Sequence, residues 1–292
     1  GSDSVVNADP VSGSLGGGDA ATEATTLAAQ YQDERRITDD VDAQQAASRN
    51  DTRGFIGAGA TVVAGRDLVI AGKDESLIGT VTGTVSGGKF VGGGGAGNIA
   101  LIDSSGQGFI SDGATVNVGR RLSIDASAVD TAGSLSVGGS GAMWVTVRGQ
   151  ASVTTLLSDA AAYIGKNVRI NQEPGFGLAD QSVNIKAASE ATVIEIVGAG
   201  TGSIIGFGAS TNVLTVAKDT NAYIGEGSIV RAADDVTVDA SSSDILIPVV
   251  LNLRAAGVSV GAAISTNTVQ SKTRARLLAD SSVHAGDSVR IQ

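Results

Sequence analysis

The stretch GFIGAGATVVAGRDLVIA, Gly54 to Ala71, returns 54 residues later as GFISDGATVNVGRRLSID, Gly108 to Asp125, with eleven of eighteen positions identical. A chain that rewrites one sentence at a fixed spacing is building an array, because each copy offers the same apolar positions to its neighbour. Traced outward, the unit starts at Gly54, Gly108, Ala162, Ala222 and Ala275, with spacings of 54, 54, 60 and 53. Only the third copy is irregular: it carries about seven extra residues around Pro174-Gly175 before Val183 and Ile185 restore the phase. An insertion absorbed without disturbing the later units belongs in a surface loop.

Within each unit apolar residues alternate with polar or small ones. Leu68-Val69-Ile70, Leu122-Ser123-Ile124, Val183-Asn184-Ile185, Val236-Thr237-Val238 and Val289-Arg290-Ile291 each put two branched residues on one face and one variable residue on the other. That period of two is the mark of a half-buried strand. The second half of each unit, as in Gly202–Ala217 and Gly257–Ala279, is also strand-like. With aromatics at 3% and 41 glycines, the core has to be made of Val, Ile, Leu and Ala in thin layers. A unit of this length is expected to supply two or three coils at roughly 18 to 27 residues each. Every coil adds about 4.8 Å along the axis.

The first fifty residues differ. SVVNADPVSGSLGGGD reads as a strand end and a Gly/Ser-rich break, and TEATTLAAQYQDERR, with Leu27 and Tyr31 at i, i+4, predicts helix from Ala21 to Asn50, so residues 1–50 are expected as a strand end plus a helical insertion or cap. The array then occupies 51–292, and its last strand stops in mid-pattern at Gln292, as expected of a piece of a longer array. The fold class expected is therefore all-β, a β-solenoid with an N-terminal helical insertion. AYIGEG (Ala222–Gly227), the Val230-Arg231-Ala232 step, DDVTVDASS (Asp234–Ser242) and GVSVGAAISTNTV (Gly257–Val269) together resemble the repeat of leukotoxin-type filamentous adhesins of bacteria. They resemble more distantly the repeats of filamentous haemagglutinin-like exoproteins. The resemblance spans Thr52 to Gln292 and implies a right-handed parallel β-helix, export across a bacterial envelope, surface attachment and adhesion.

Composition narrows the chemistry. The absence of Cys excludes disulfides and thiolate chemistry. The net charge of −10, with 14 Arg and 6 Lys scattered along the chain, argues against a nucleic-acid partner. No run approaches the ~18 apolar residues of a membrane helix. The acidic surface serves solubility, with calcium-assisted adhesion as its alternative use. The single histidine, His284, aligns with Arg231 and is expected outward and solvated. GTVSGGKF (Gly83–Phe90) has the spacing of a phosphate loop but puts Phe90 where Ser or Thr must hold magnesium, so it reads as a Gly-rich turn between coils. GGAGNIALI (Gly94–Ile102) approximates a calcium nonapeptide but has Ile99 at the liganding position.

Polysaccharide-degrading β-helices are the rival class, since they gather carboxylates on one face. Here Asp39, Asp40 and Asp42 form one group and Asp234 and Asp235 another, while Asp67, Asp125, Asp239 and Asp287 stand singly. Asp67 matches Asp235, and an acid that recurs with the unit is expected to be a turn-former bonding its own backbone. Trp144, Phe176 and Phe207 are too dispersed for a sugar platform. Tyr163 and Tyr223 occupy the repeat position of Phe55 and Phe109, where an internal aromatic stack is expected. Ice binding fails because the threonine row of Thr80–Gly88 is not continued in the other copies. The expected protein is no enzyme, with no catalytic, cofactor or metal residues. It is a rigid segment of a cell-surface or secreted adhesin, touching other cells, host matrix or surface polysaccharide and continuing as the same array at its ends. The alternative is a polysaccharide-binding or polysaccharide-degrading β-helix.

Overall fold

A computed structural model describes residues 50–292; the helical insertion expected over 1–50 lies outside the described residues, except for Asn50. The described chain is all-β with parallel pairing throughout and contains no helix. Its strands are β1 (Asn50–Ile56), β2 (Thr61–Ala64), β3 (Asp67–Gly88), β4 (Val91–Ile110), β5 (Thr115–Val118), β6 (Arg121–Ala142), β7 (Val145–Ile164), β8 (Arg169–Ile170), β9 (Ser182–Ile224), β10 (Ile229–Ala232), β11 (Val236–Leu277), β12 (Ser282–Ala285) and β13 (Val289–Ile291). The long strands form one sheet system, and the short strands form a second sheet in the order β12-β10-β8-β5-β2.

Register explains the repetition. Gly54 lies opposite Gly108, Gly108 opposite Ala162, Ala162 opposite Ala222 and Ala222 opposite Ala275, so the five unit starts sit one above another. The expectation of two or three coils per unit is corrected: each unit makes a single level. Asp67 pairs with Arg121 and Val183 with Val236, one whole unit apart. Arg121 pairs with Ser182, so the seven extra residues are absorbed between β8 and β9, where the chain is irregular from Asn171 to Gln181. The Gly-rich runs account for the difference. Gly83–Gly88 and Gly92–Gly97 are strand interior, and the turn between them is only Lys89-Phe90.

Each level goes out along a strand of about twenty residues, reverses at a tip and comes back. The tips are Lys89-Phe90 and Met143-Trp144 in the first two levels, whereas β9 and β11 each run through the reversal as one strand. Cross-layer contacts are symmetric about the tips: Asn98 donates to Thr80 at 2.6 Å, Ser134 meets Ser152 at 3.2 Å, and Asn212 donates to Glu195 at 2.7 Å. The two layers therefore lie face to face within a level. At ~3.3 Å per residue an arm of 22 residues reaches about 70 Å, while five levels at ~4.8 Å rise only about 20 Å, so the described part is a slab.

The arm meets a base where three kinds of strand converge. Leu122, Ile124, Val183 and Ile185 from outgoing strands, Ile110, Ile164 and Ile224 from returning ones, and Val116, Ile170 and Val230 from the short sheet form one buried aliphatic cluster. A smaller cluster around Ile102, Leu156, Val193 and Leu214 lies inside the arm. Between them the layers pinch: a Cβ on Gly72 would strike the Gln107 backbone, and one on Gly108 the Asp125 carbonyl. Alanine takes these places further down the stack, which is why every unit starts with a small residue.

The corner into the short sheet imposes a second requirement. Gly59, Gly113, Asn167, Gly227 and Asp280 occupy equivalent places and all have φ between 53° and 70°. Glycine, Asn and Asp are the residues that tolerate this left-handed conformation. The corner itself is stacked, since Gly113 N–H donates to Lys166 O at 2.8 Å and Asn167 N–H to Glu226 O at 2.9 Å.

At β8 the insertion shortens the ladder to two residues, where β5 and β10 have four. Asn171, buried at φ 54°, fills the missing rung with its side chain. Its Oδ1 accepts from Val118 N–H and its Nδ2 donates to Arg231 C=O, both at 2.9 Å. Replacing Asn171 by Leu leaves both backbone groups buried without partners, and chemical denaturation should show a loss of about 2–4 kcal/mol. Val236→Asp should destabilise far more than Thr237→Asp, because Val236 is fully buried and Thr237 faces outward; equal losses on thermal melting would contradict the assigned faces.

Candidate functional site

The arm has inverted polarity. Outward positions from Leu77 to Gly87, and their partners on β6, β9 and β11, are Val, Ile, Leu, Ala, Gly or Thr, with no charge in the set. The outward positions from Val91 to Leu101 and their partners on the returning side are equally uncharged. Leu77, Val81 and Val85 are 79%, 76% and 94% exposed. Charged outward groups such as Lys73, Glu75, Asp103 and Lys186 lie nearer the base.

The space between the layers is polar. Asp130 is fully buried and accepts from Ser104 Oγ at 2.8 Å. Lys218 buries its ammonium against Asp244 at 2.6 Å and the Ser243 carbonyl at 2.8 Å. Arg148 reaches across to the carbonyl and hydroxyl of Thr84. Burial pushes the carboxyls of Asp74, Asp130 and Glu195 above the usual carboxylate range, while hydroxyl or amide donors pull Asp130 and Glu195 partly back. These acids have shifted protonation, as catalytic acids do, yet each is enclosed between the layers. A groove of about 390 Å³ lies on the outgoing face instead, along Gly83, Val85, Val137, Gly198, Gly200 and Leu253. Its lining holds no titratable side chain.

The residues singled out in the sequence fall at separate places. Asp67 forms an ion pair with Arg120 of the next level, and the hydrogen bond from that guanidinium holds its carboxyl below the usual range. Asp234, Asp235 and Asp287 come together at the equivalent corner, with carboxylate oxygens within 4.8 Å of one another. Asp235 accepts from Ser288 N–H at 3.1 Å and Ser288 Oγ at 2.6 Å, and Asp287 N–H donates to Asp234 O at 3.0 Å. The expectation that these acids bond their own backbone is not met: the Asp235 carboxylate bonds Ser288 and the Asp67 carboxylate bonds Arg120, each one unit further on. Asp125 accepts from Ser123 Oγ at 2.9 Å, and Asp239 stands on the outgoing strand beside Lys186. Asp39, Asp40 and Asp42 lie outside the described residues. His284 is exposed, pairs with Arg231 and contacts Ser282 Oγ at 3.0 Å.

The aromatic stack exists but lies on the outside. Phe55, Phe109, Tyr163 and Tyr223 have centroids 5.3, 4.8 and 4.8 Å apart with nearly parallel rings, and the Arg276 guanidinium sits 6.0 Å from the Tyr223 centroid. The expectation of an internal stack fails because the preceding glycine or alanine takes the inward place at the pinch, and alternation sends the ring out. Trp144 stands at a tip, Phe207 on the returning face and Phe176 in the insertion. Missed in the sequence were the buried acids of the arm and its uncharged faces. The signal for the faces was present: every second residue from Leu77 to Gly87, and again from Val91 to Leu101, is free of charge.

Comparison with known proteins finds no matching family model, no matching curated protein and no matching solved structure.

The buried acids give a pH prediction with a definite sign. Glu195 has a folded-state pKa above its unfolded value, so its charged form costs stability, and that cost is relieved as pH falls through the folded pKa. Melting temperature should therefore rise from pH 7.5 towards pH 5. Glu195→Gln should stabilise the neutral-pH protein by on the order of 1 kcal/mol and flatten that rise, as read by differential scanning calorimetry.

Proposed function

We propose that this chain is a structural segment of a bacterial surface or secreted exoprotein, wound as a right-handed parallel β-helix, that holds other regions at a distance and offers its sides for attachment. The observation that carries the reading is the in-register stacking of equivalent residues along the long strands of successive units. Such a stack adds length by adding levels, each supported only by its neighbours, as in repeat scaffolds. The resemblance to leukotoxin-type filamentous adhesins suggests the adhesive role, with many weak lateral contacts summing along the array.

The enzymatic alternative needs carboxylates that meet a substrate. Asp74, Asp130 and Glu195 are enclosed between the layers, and Asp235 at the corner is engaged by Ser288 of the next level. Surfaces coated with the chain should retain cells, matrix proteins or polysaccharide without shortening any polysaccharide offered. Depolymerisation abolished by one Asp or Glu substitution would replace this reading with the enzymatic one.

A further inference from the structure

We propose that the outgoing face of the arm is a self-association surface that takes a second copy of this chain. The face is a lattice of four levels, and on its two inner levels large side chains nearer the base give way to glycines nearer the tip. Leu135 and Ile196 stand in one column of the lattice, while Gly139 and Gly200 stand two columns further towards the tip on the same levels. A twofold axis parallel to the stacking direction, through the column that contains Val137 and Gly198, sets each of these large residues opposite a glycine of the other copy. The two inner levels are thus complementary to themselves, as a two-fold interface requires, while the outer levels set Val81 against Val85 and Val249 against Leu253 of the other copy. The groove of about 390 Å³ is the receiving side of that fit.

Area and charge support the same occupant. The overlap runs over the columns from Gly79 to Gly87, roughly 26 Å along the strands and 19 Å across four levels, or about 500 Å² per copy and 1,000 Å² in total. That is the lower limit for a specific interface and predicts reversible association. Two copies each carrying −10 repel, and the uncharged arm is where they can approach without placing carboxylates against one another. Sheets meeting in this way pack about 10 Å apart. The inference rests on the face itself and not on the adhesive reading.

Gly139→Leu/Gly200→Leu separates this fit from general stickiness. A Cβ at Gly139 meets nothing within 4 Å, and one at Gly200 comes no nearer than 3.5 Å, so the sheet accepts both. The variant is more apolar than the native face but has its hollows filled. Sedimentation velocity of the full chain over a concentration series should show a monomer–dimer equilibrium that shifts towards dimer as salt screens the repulsion. The double variant should weaken it at least tenfold with no fall in melting temperature, and Val260→Lys on the returning face should leave it unchanged. Monomer at every concentration, or equal association by the double variant, overturns the proposal. So does equal binding of wild type and double variant to phosphatidylcholine vesicles with no dimer in solution, which would assign the face to lipid.

Discussion

The parallel backbone ladder between one unit and the next is the constraint on which everything else rests. It requires residues a whole unit apart to share one environment, so a position that is inward, small or left-handed in one level must be so in all. Gly54, Gly108, Ala162, Ala222 and Ala275 obey this at the pinch, and Gly59, Gly113, Asn167, Gly227 and Asp280 at the corner. Where the ladder is interrupted at β8, the molecule does not leave the rung open. The amide of Asn171 carries a donor and an acceptor at the separation of a peptide group, so it can stand in for one.

The arm shows that the ladder, and not apolar burial, is what extends the fold outward. The base is an ordinary aliphatic core, but beyond the pinch the layers are joined mainly by serine, threonine, asparagine and a few enclosed charges. Small side chains let the layers come close, and closeness lets short polar groups reach each other, as Asn98 reaches Thr80 and Ser189 reaches Thr220 at 2.7 Å. Such an interior gains little from the hydrophobic effect and depends on each polar group finding a partner. With the interior polar, alternation sends the apolar residues outward.

This inversion also marks what the sequence could and could not disclose. Strand identity, the faces of Leu122-Ser123-Ile124 and Val236-Thr237-Val238, the loop at Pro174-Gly175 and the solvated His284 come from spacing and alternation alone, and the structure agrees with them. The size of a level does not, because glycine is read by default as a turn. In β3 and β4 the inward glycines Gly72, Gly92 and Gly106 instead let two layers lie close, where a Cβ would meet backbone of the facing or neighbouring strand. The aromatic stack was legible as a ladder, since like rings recur at one place in the unit, but its side depended on the pinch, which only coordinates reveal. The enclosed acids were invisible for a related reason: a carboxylate in an alternating strand is assigned to water unless the opposite layer is known.

Charge placement obeys the same division between base and arm. The outward acids and bases of the long strands crowd towards the base, at Lys73, Glu75, Asp103, Asp159, Lys186, Glu190 and Asp219, while the outward columns of the arm carry none. A sheet face that only had to remain in water would be expected to alternate apolar inside with polar outside, the usual arrangement for a solvated strand. Four levels, whose individual residues differ freely between Leu, Thr, Ile, Val and Gly at each place, nonetheless all leave out charge over the same part of the arm. The shared feature is physical and not a copied residue, because a position can change from Leu77 to Thr131 to Ile245 while the face stays neutral. Desolvating such a face costs little, whereas a single Lys or Glu in it would cost several kcal/mol when covered. The arm is thus built to be covered, and the charged base keeps the molecule in solution until it is.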